Sequence, residues 1–562
     1  MTEQNIYNNP DPELPLLTAK PSSQLNHPWL ILAVIALVAL ITDRIFIGQD
    51  IGLQWVIFVA LVLLAIAVSV LIERLGVPKR SYWLFLPIAA LTLLNLFRTE
   101  SFTTIALIGT TIVSFVWLAT SFLNGQWASY RLREHISQTF KLAMDAISGL
   151  PIMLIEHLRL SNAVKKSESV SKTSTKTTWA VLRGVLISLP ILGVFGALLA
   201  SADAVFSGNL KNLFAWVGDF RLGRFFGEAI VVCFITYILF GLFSFGLTKT
   251  RQSPVTEPDQ ASVKTFLGMT EASIVLGSVN ILFLAFLVVQ FRYFFAGQVN
   301  ISESGLTYSE YAVKGFQELI MVACVALGLH WLLAGVTRRK NSKQKTIFSV
   351  LVTLVIVQVG IILFSAFQRL SLYEAAYGFT QSRLVAHVFM IFVGLMLIAA
   401  LWMQWRDAFK HQALVLLSLF IVFALTLGLI NVDRTVAGLN LAKAVSNSKL
   451  DASFLANQMS ADALPLMFEY YDGQSLPPEV HEKLGKALAC KANFVDQARI
   501  KSEPWFSVSL PDRAAAKLFE EHSTALSAYK FEQKTWGDGY VEKGFTIDDV
   551  WIGCNYSYHP AD

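Results

Sequence analysis

Long apolar blocks constrain this chain more than any other feature. Eleven stand out, at 28–46, 51–72, 81–97, 102–123, 179–200, 225–247, 272–296, 315–336, 346–367, 384–405 and 412–431. A helix rises about 1.5 Å per residue, so a block of about 20 residues matches a hydrocarbon core about 30 Å thick. The apolar residues run continuously instead of alternating, which reads as membrane helix and not as barrel strand. The block 81–97 is the weakest, being short and holding Pro87. Charged residues make up 15% of the chain, against about a quarter in an average soluble protein. The expected fold class is an all-α polytopic membrane protein, with about eleven transmembrane helices and a small, mainly helical soluble C-terminal domain.

The blocks divide the chain. Residues 1–27 read as a disordered N-terminal tail, polar and Pro-rich, without the basic region and small-residue site of a cleaved signal. Residues 28–123 hold helices one to four. Residues 124–178 form a long loop whose first half, "YRLREHISQTFKLAMDAISGLPIMLIEHLRL", is amphipathic. Its second half, "KKSESVSKTSTKTT", is low in complexity and reads as flexible. The basic amphipathic part suits either docking on anionic lipid or an ordinary connecting helix. Residues 179–431 hold helices five to eleven, and 432–562 read as the soluble domain.

Lysine and arginine concentrate in the loops after the even-numbered spans, as in Arg74/Lys79/Arg80 and Arg338/Arg339/Lys340/Lys343/Lys345. The positive-inside rule then predicts a cytoplasmic N-terminus. An odd number of spans puts the C-terminal domain outside, periplasmic or extracellular, on a multi-pass protein of the cell (inner) membrane. The net charge of +5 bears on this topology and not on a nucleic-acid partner. Cys490 and Cys554, both in the tail, are a candidate disulfide if the tail faces an oxidising compartment; two free thiols are the alternative. Cys233 and Cys324 lie within spans and read as buried apolar residues.

Ionisable and aromatic residues gather at the predicted outer rim. They are Arg292 and Tyr293 after span seven; Tyr308, Glu310, Tyr311 and Glu318 at the mouth of span eight; Arg369, Tyr373, Tyr377 and Arg383 between spans nine and ten; and Asp433 after span eleven. Unpaired charge in hydrocarbon costs several kcal/mol, so such groups pair, snorkel or line a wet cavity. One arrangement turns Glu318 into the bundle to meet Arg292 or Arg369. The other is an interfacial belt, with Tyr at the headgroups and charges facing outward. Asn280 and Gln358, mid-span, read as helix–helix hydrogen bonds. His330 and His387 read as interface histidines.

Five stretches carry a family resemblance: "LLASADAVFS" (198–207), "VVQFRYFFAG" (288–297), "LTYSEYAVKGFQEL" (306–319), "SAFQRLSLYEAAYGFTQSRL" (365–384) and "NVDRTVAGLNLAKA" (431–444), with "LDASFLANQMSADALPLM" (450–467) also fitting. Over roughly 180–470 the chain resembles the bacterial multi-pass membrane proteins classed only as a domain of unknown function, of the four-one-seven-three and related four-one-five-three types. The resemblance implies a multi-pass helical membrane protein and no established reaction, substrate or cofactor. The end of the tail departs from it.

The sequence lacks GxxxxGK[ST], HExxH, CxxC and GxSxG. No metal, cofactor or catalytic residue is therefore assigned. The expected partners are the lipid bilayer and a protein bound through the C-terminal domain. Three functions follow in order: transport or ligand gating through an outer-face polar vestibule; a receptor, scaffold or envelope-assembly factor using the C-terminal domain; and, last, a membrane-embedded enzyme.

Overall fold

The computed structural model describes residues 25–46, 53–164, 221–248, 266–295, 316–473, 475–494, 508–535, 541–547 and 550–554, with Leu199 and Thr250. Most of the predicted N-terminal tail, the second half of the long loop, the span at 179–200 apart from Leu199, and Tyr308, Glu310 and Tyr311 lie outside these residues.

The apolar blocks form α1 (Pro28–Phe46), α2 (Leu53–Glu73), α3 (Phe85–Asn95), α4 (Ser101–Ser121), α5 (Leu132–Val164), α6 (Arg221–Thr248), α7 (Met269–Phe295), α8 (Phe316–Val336), α9 (Ser342–Tyr377), α10 (Gln381–Arg406) and α11 (Gln412–Ile430). All but α3 and α5 are long and apolar enough to cross a bilayer, nine helices among the described residues. The protein is therefore an all-α polytopic membrane protein.

The weak block at 81–97 is built in two pieces. A 3-10 segment, Lys79–Leu84, runs into α3, and Pro87 falls in the first turn of α3, where a missing N–H costs little. The 3-10 piece rises about 2.0 Å per residue and the α piece about 1.5 Å, so the pair extends about 28 Å. It packs along α4 as an antiparallel hairpin, closed by the Ser81 hydroxyl donating to the Phe122 carbonyl at 2.7 Å.

The amphipathic segment forms α5, which lies closely against α6. Gly241 of α6 makes this approach feasible, since a Cβ there would sit 2.5 Å from Ala146 Cα and closer still to the Asp145 carbonyl oxygen. Mid-span polar groups join neighbouring helices. Asn280 Nδ2 donates to the Leu351 carbonyl at 3.1 Å, Gln358 Nε2 to the Asn280 carbonyl at 3.3 Å, and Gln404 Nε2 to Ser349 Oγ at 2.8 Å.

The two ends of the bundle differ. At one end Trp127 Nε1 reaches the Arg80 carbonyl (2.8 Å), Leu267 bridges Thr337, and Lys345 pairs with Asp407 (3.3 Å). The basic loops gather there. At the other end Arg44 pairs with Glu228 (3.5 Å), and Arg98 Nε donates to the Gly428 carbonyl (2.6 Å). The C-terminal domain sits at this second end.

Asn431, in the left-handed region at φ 55°, turns the chain from α11 into α12 (Val432–Asn447). Then follow α13 (Ala452–Asn457), α14 (Leu464–Asp472), α15 (Pro478–Phe494), α16 (Leu510–Glu521) and α17 (Ser523–Leu526). The chain ends in an antiparallel sheet, in which β2 (Val541–Ile547) pairs with β3 (Val550–Gly553) on one side and β1 (Glu532–Thr535) on the other. Cys490 on α15 and Cys554 after β3 are both fully buried and disulfide-bonded. One apolar cluster runs from Phe468, Leu484 and Phe519 inside the domain to Val388, Phe392 and Leu427 on α10 and α11. The domain is thus fused to the helices by a shared core.

Candidate ligand cleft between the membrane helices and the C-terminal domain

The site is framed by helix length. α9 has 36 residues, which extend about 54 Å. A bilayer with its headgroup layers measures about 40–45 Å, so α9 is longer than the membrane is thick and projects from it at one end or both. Gly378, at φ 83°, reverses the chain into α10, whose first turn carries Arg383. This α9–α10 corner meets α12, α13 and α15, and the seam holds a cleft of about 980 Å³.

Asn440 of α12 clasps the corner. Its Oδ1 accepts from the Phe379 amide at 2.9 Å, and its Nδ2 donates to the Phe379 carbonyl at 2.8 Å. Lys443, one turn on, donates to the Ala375 carbonyl at 2.6 Å and so meets the negative end of α9. Arg383 donates to the Gly378 carbonyl, and its guanidinium lies 4.0 Å from the centre of the Tyr373 ring. Beneath them, Glu374 and His387, both largely buried, approach to 3.2 Å (Nδ1 to Oε1). Lys449 and Lys483 complete the cationic lining.

A second polar knot lies beside the cleft, where the α3–α4 corner meets the domain. Asp462 accepts from the Thr99 amide (3.1 Å) and from the Thr99 hydroxyl (3.1 Å). Asp433, fully buried, accepts from the Ser460 amide at 2.5 Å through Oδ2, while its Oδ1 is buried without a hydrogen bond. Glu100 caps α4 by accepting from the Phe102 (2.6 Å) and Thr103 (2.7 Å) amides. Lys491 donates to the Ala456 carbonyl at 3.0 Å. Burial dominates the chemistry here. It pushes Asp462 up to about 6, against the Thr99 hydrogen bonds and the Arg98 charge. It raises Asp433 despite the Ser460 bonds, and pushes Lys491 down to about 8 despite the charge of Asp433.

The predicted rim residues therefore separate. Tyr377 and Arg383 line the cleft, with Tyr373 beneath the Arg383 guanidinium. Asp433 belongs to the knot. Arg369 is buried and donates to Gln290 at 2.5 Å. Glu318 does not turn into the bundle to meet Arg369. It is exposed in the first turn of α8, where a carboxylate favours the positive helix end and avoids desolvation. Arg292 and Tyr293 lie in the last turn of α7, and their side chains are outside the described residues. Lys443, Lys449, Lys483, Asn440 and Asp462 escaped sequence reading, because in a polar tail such residues look like ordinary solvated surface.

Another sizeable cavity, about 240 Å³ between α2, α4 and α6, is lined by apolar residues such as Trp55, Phe58, Phe115 and Phe243. It offers space to a hydrocarbon chain and no polar chemistry. Among the described residues no cluster of His, Cys, Asp or Glu has the grouping to hold a metal ion.

Residues 30–470 match the family described as Domain of unknown function (DUF4153). The chain belongs to the DUF4153 family. The match begins at α1 and ends within α14, so in this DUF4153 protein it covers the spans, the α9–α10 corner and both Asp433 and Asp462. The disulfide and the sheet lie beyond it. No curated protein and no solved structure matches the chain.

Proposed function

We propose that this DUF4153 protein is a ligand-gated membrane protein, with the seam cleft as its vestibule and the C-terminal domain on the outer side of the cell membrane. The carrying observation is that one cleft is walled by the ends of two spanning helices and by the domain fused to them. A ligand held there touches α9, α10, α12 and α15 at once, so its binding energy can favour one arrangement of the helices over another. The shared core supports gating over a tethered capture module, since the domain and the helices cannot separate without exposing Val388, Phe392 and Leu427. The basic loops at the opposite end support the orientation.

Two measurements test the reading. Proteoliposomes with purified protein are assayed for tracer flux of chloride and phosphate, alongside Arg383→Gln and Lys443→Gln. Flux that falls about tenfold in each variant, the scale of one charge-assisted hydrogen bond, is expected. No flux of either ion through folded wild-type protein removes gating in favour of a receptor role. Sidedness is read by labelling Ser448→Cys with an impermeant maleimide in intact cells, in a background lacking Cys233 and Cys324. Labelling only after lysis reverses the orientation.

A further inference from the structure

We propose that the cleft is a binding site for a phosphate-bearing lipid headgroup presented from the adjoining leaflet. The inference rests on the reading of the seam as a ligand site and names the chemistry of its occupant.

Charge is the first argument. The lining carries Arg383, Lys443, Lys449 and Lys483 against Asp451 and Glu479, a formal net charge of +2. Both carboxylates are already engaged. Asp451 caps α13 by accepting from the Phe454 amide at 2.8 Å, and Glu479 pairs with Lys483 at 3.0 Å. Arg383 and Lys443 are held by neutral carbonyls and a ring face, which satisfy part of their donors and none of their charge. An anion with several acceptor oxygens fits such a wall, because guanidinium and ammonium donors make their strongest hydrogen bonds to ionised acceptors. Thr380, which also lines the cleft, makes no side-chain capping bond to α10, so the positive end of that helix adds to the field.

Position is the second argument, and it decides the source. Arg383 stands in the first turn of a 26-residue helix whose opposite end carries exposed Trp402 and Trp405. Such a helix is about 39 Å long, close to the bilayer with its headgroups, and exposed Trp marks the far interface. The cleft therefore opens at headgroup depth. Leu372 on α9, one turn before the lining residue Ala375, and Leu439 on α12, one turn before Lys443, are 43% and 38% exposed. Apolar side chains beside cations suit an amphiphile, with its phosphate inside and its acyl chains along α9 and α12. A freely dissolved phosphate would leave both leucines in water.

The test uses the full chain in phosphatidylcholine nanodiscs, with and without phosphatidylglycerol. Hydrogen exchange is followed at 378–384 and 447–455, and retained lipid is counted by native mass spectrometry. Phosphatidylglycerol should protect both segments and be retained over phosphatidylcholine. Lys449→Glu, an exposed change with little folding risk, should lower that retention about tenfold. Soluble glycerol phosphate is the second probe. If it gives the same protection in phosphatidylcholine discs, the lipid source is overturned and the phosphate chemistry stands. If neither probe protects the seam, or retention ignores both Lys449→Glu and Arg383→Gln, the site assignment is overturned. The ion-flux assay reads gating separately, so absent flux in the wild type with intact lipid retention rejects gating alone.

Discussion

Thr99 and Asp462 bind each other across the boundary between the membrane helices and the C-terminal domain, with the Asp462 carboxylate accepting from both the Thr99 amide and its hydroxyl. They lie 363 residues apart in the chain. This contact helps set how the domain sits on the α3–α4 corner, and it does so with a buried acid.

Acid should therefore strengthen the joint. Asp462 has its carboxyl pushed from 3.8 up to about 6 by burial. The folded state thus holds this proton more tightly than the unfolded state. The resulting stability is complete below about pH 4, is lost as pH rises through about 6, and changes no further above that. A displacement of this size corresponds to roughly 3 kcal/mol as an upper scale. Thermal unfolding in detergent between pH 4 and 7 should show this slope, and Asp462→Asn should flatten it.

Lys491 predicts the opposite limb. Burial lowers it from 10.5 to about 8. The native state then prefers the neutral amine, so stability gained above about 10.5 is lost as pH falls through about 8. Together the two groups place the weakest point of the joint between pH 6 and 8. Lys491→Met should remove the alkaline limb, read in melts extended to about pH 11, and leave the Asp462 limb intact.

Asn440 should be hard to replace. Asn440→Leu keeps the side chain's size but leaves the Phe379 amide and carbonyl without their partners. A part-buried backbone group that loses its partner costs up to about 1–3 kcal/mol, so the melting temperature should fall. Asn440→Asp retains the acceptor and should lose less.

Much of the fold was legible because a bilayer demands long apolar runs and little else produces them. The block around Pro87 was readable as apolar but not as a 3-10 segment feeding a short helix, since hydropathy carries no information about rise per residue. Tyr377 and Arg383 were legible as unusual residues beside a membrane. Their partners were not, because Lys443, Lys449 and Lys483 come from segments brought together only by the turn at Asn431. Sequence leaves Glu318 between an inward ion pair and an outward position, because proximity to a span says nothing about which way a first-turn side chain faces; it is exposed.

The α5–α6 contact gives a steric prediction. Gly241→Leu places a side chain where a Cβ alone would stand 2.5 Å from Ala146 Cα. The helices must then part. A cysteine pair at Ile147 and Tyr237, which touch in the native protein through the Tyr237 hydroxyl and the Ile147 carbonyl, should crosslink in the parent and fail to do so with Gly241→Leu. Unchanged crosslinking would mean that the helices are not packed this closely.

Reduction of the Cys490–Cys554 bond frees a loop spanning 64 residues, worth about 4 kcal/mol on a chain-entropy scale. Melting with and without reductant should show that loss in the wild type and none in a Cys490→Ala/Cys554→Ala double variant.

The apolar cluster that joins Phe468 and Phe519 to Val388, Phe392 and Leu427 also orders the events of biogenesis. Ribosomes finish α10 and α11 before the tail emerges, so the last hairpin is a template on which the tail condenses. Expressed by itself, 432–562 would lack those staves and expose an unfinished greasy face to chaperones and proteases. Insertion of the final hairpin thus supplies the surface on which the tail completes its core.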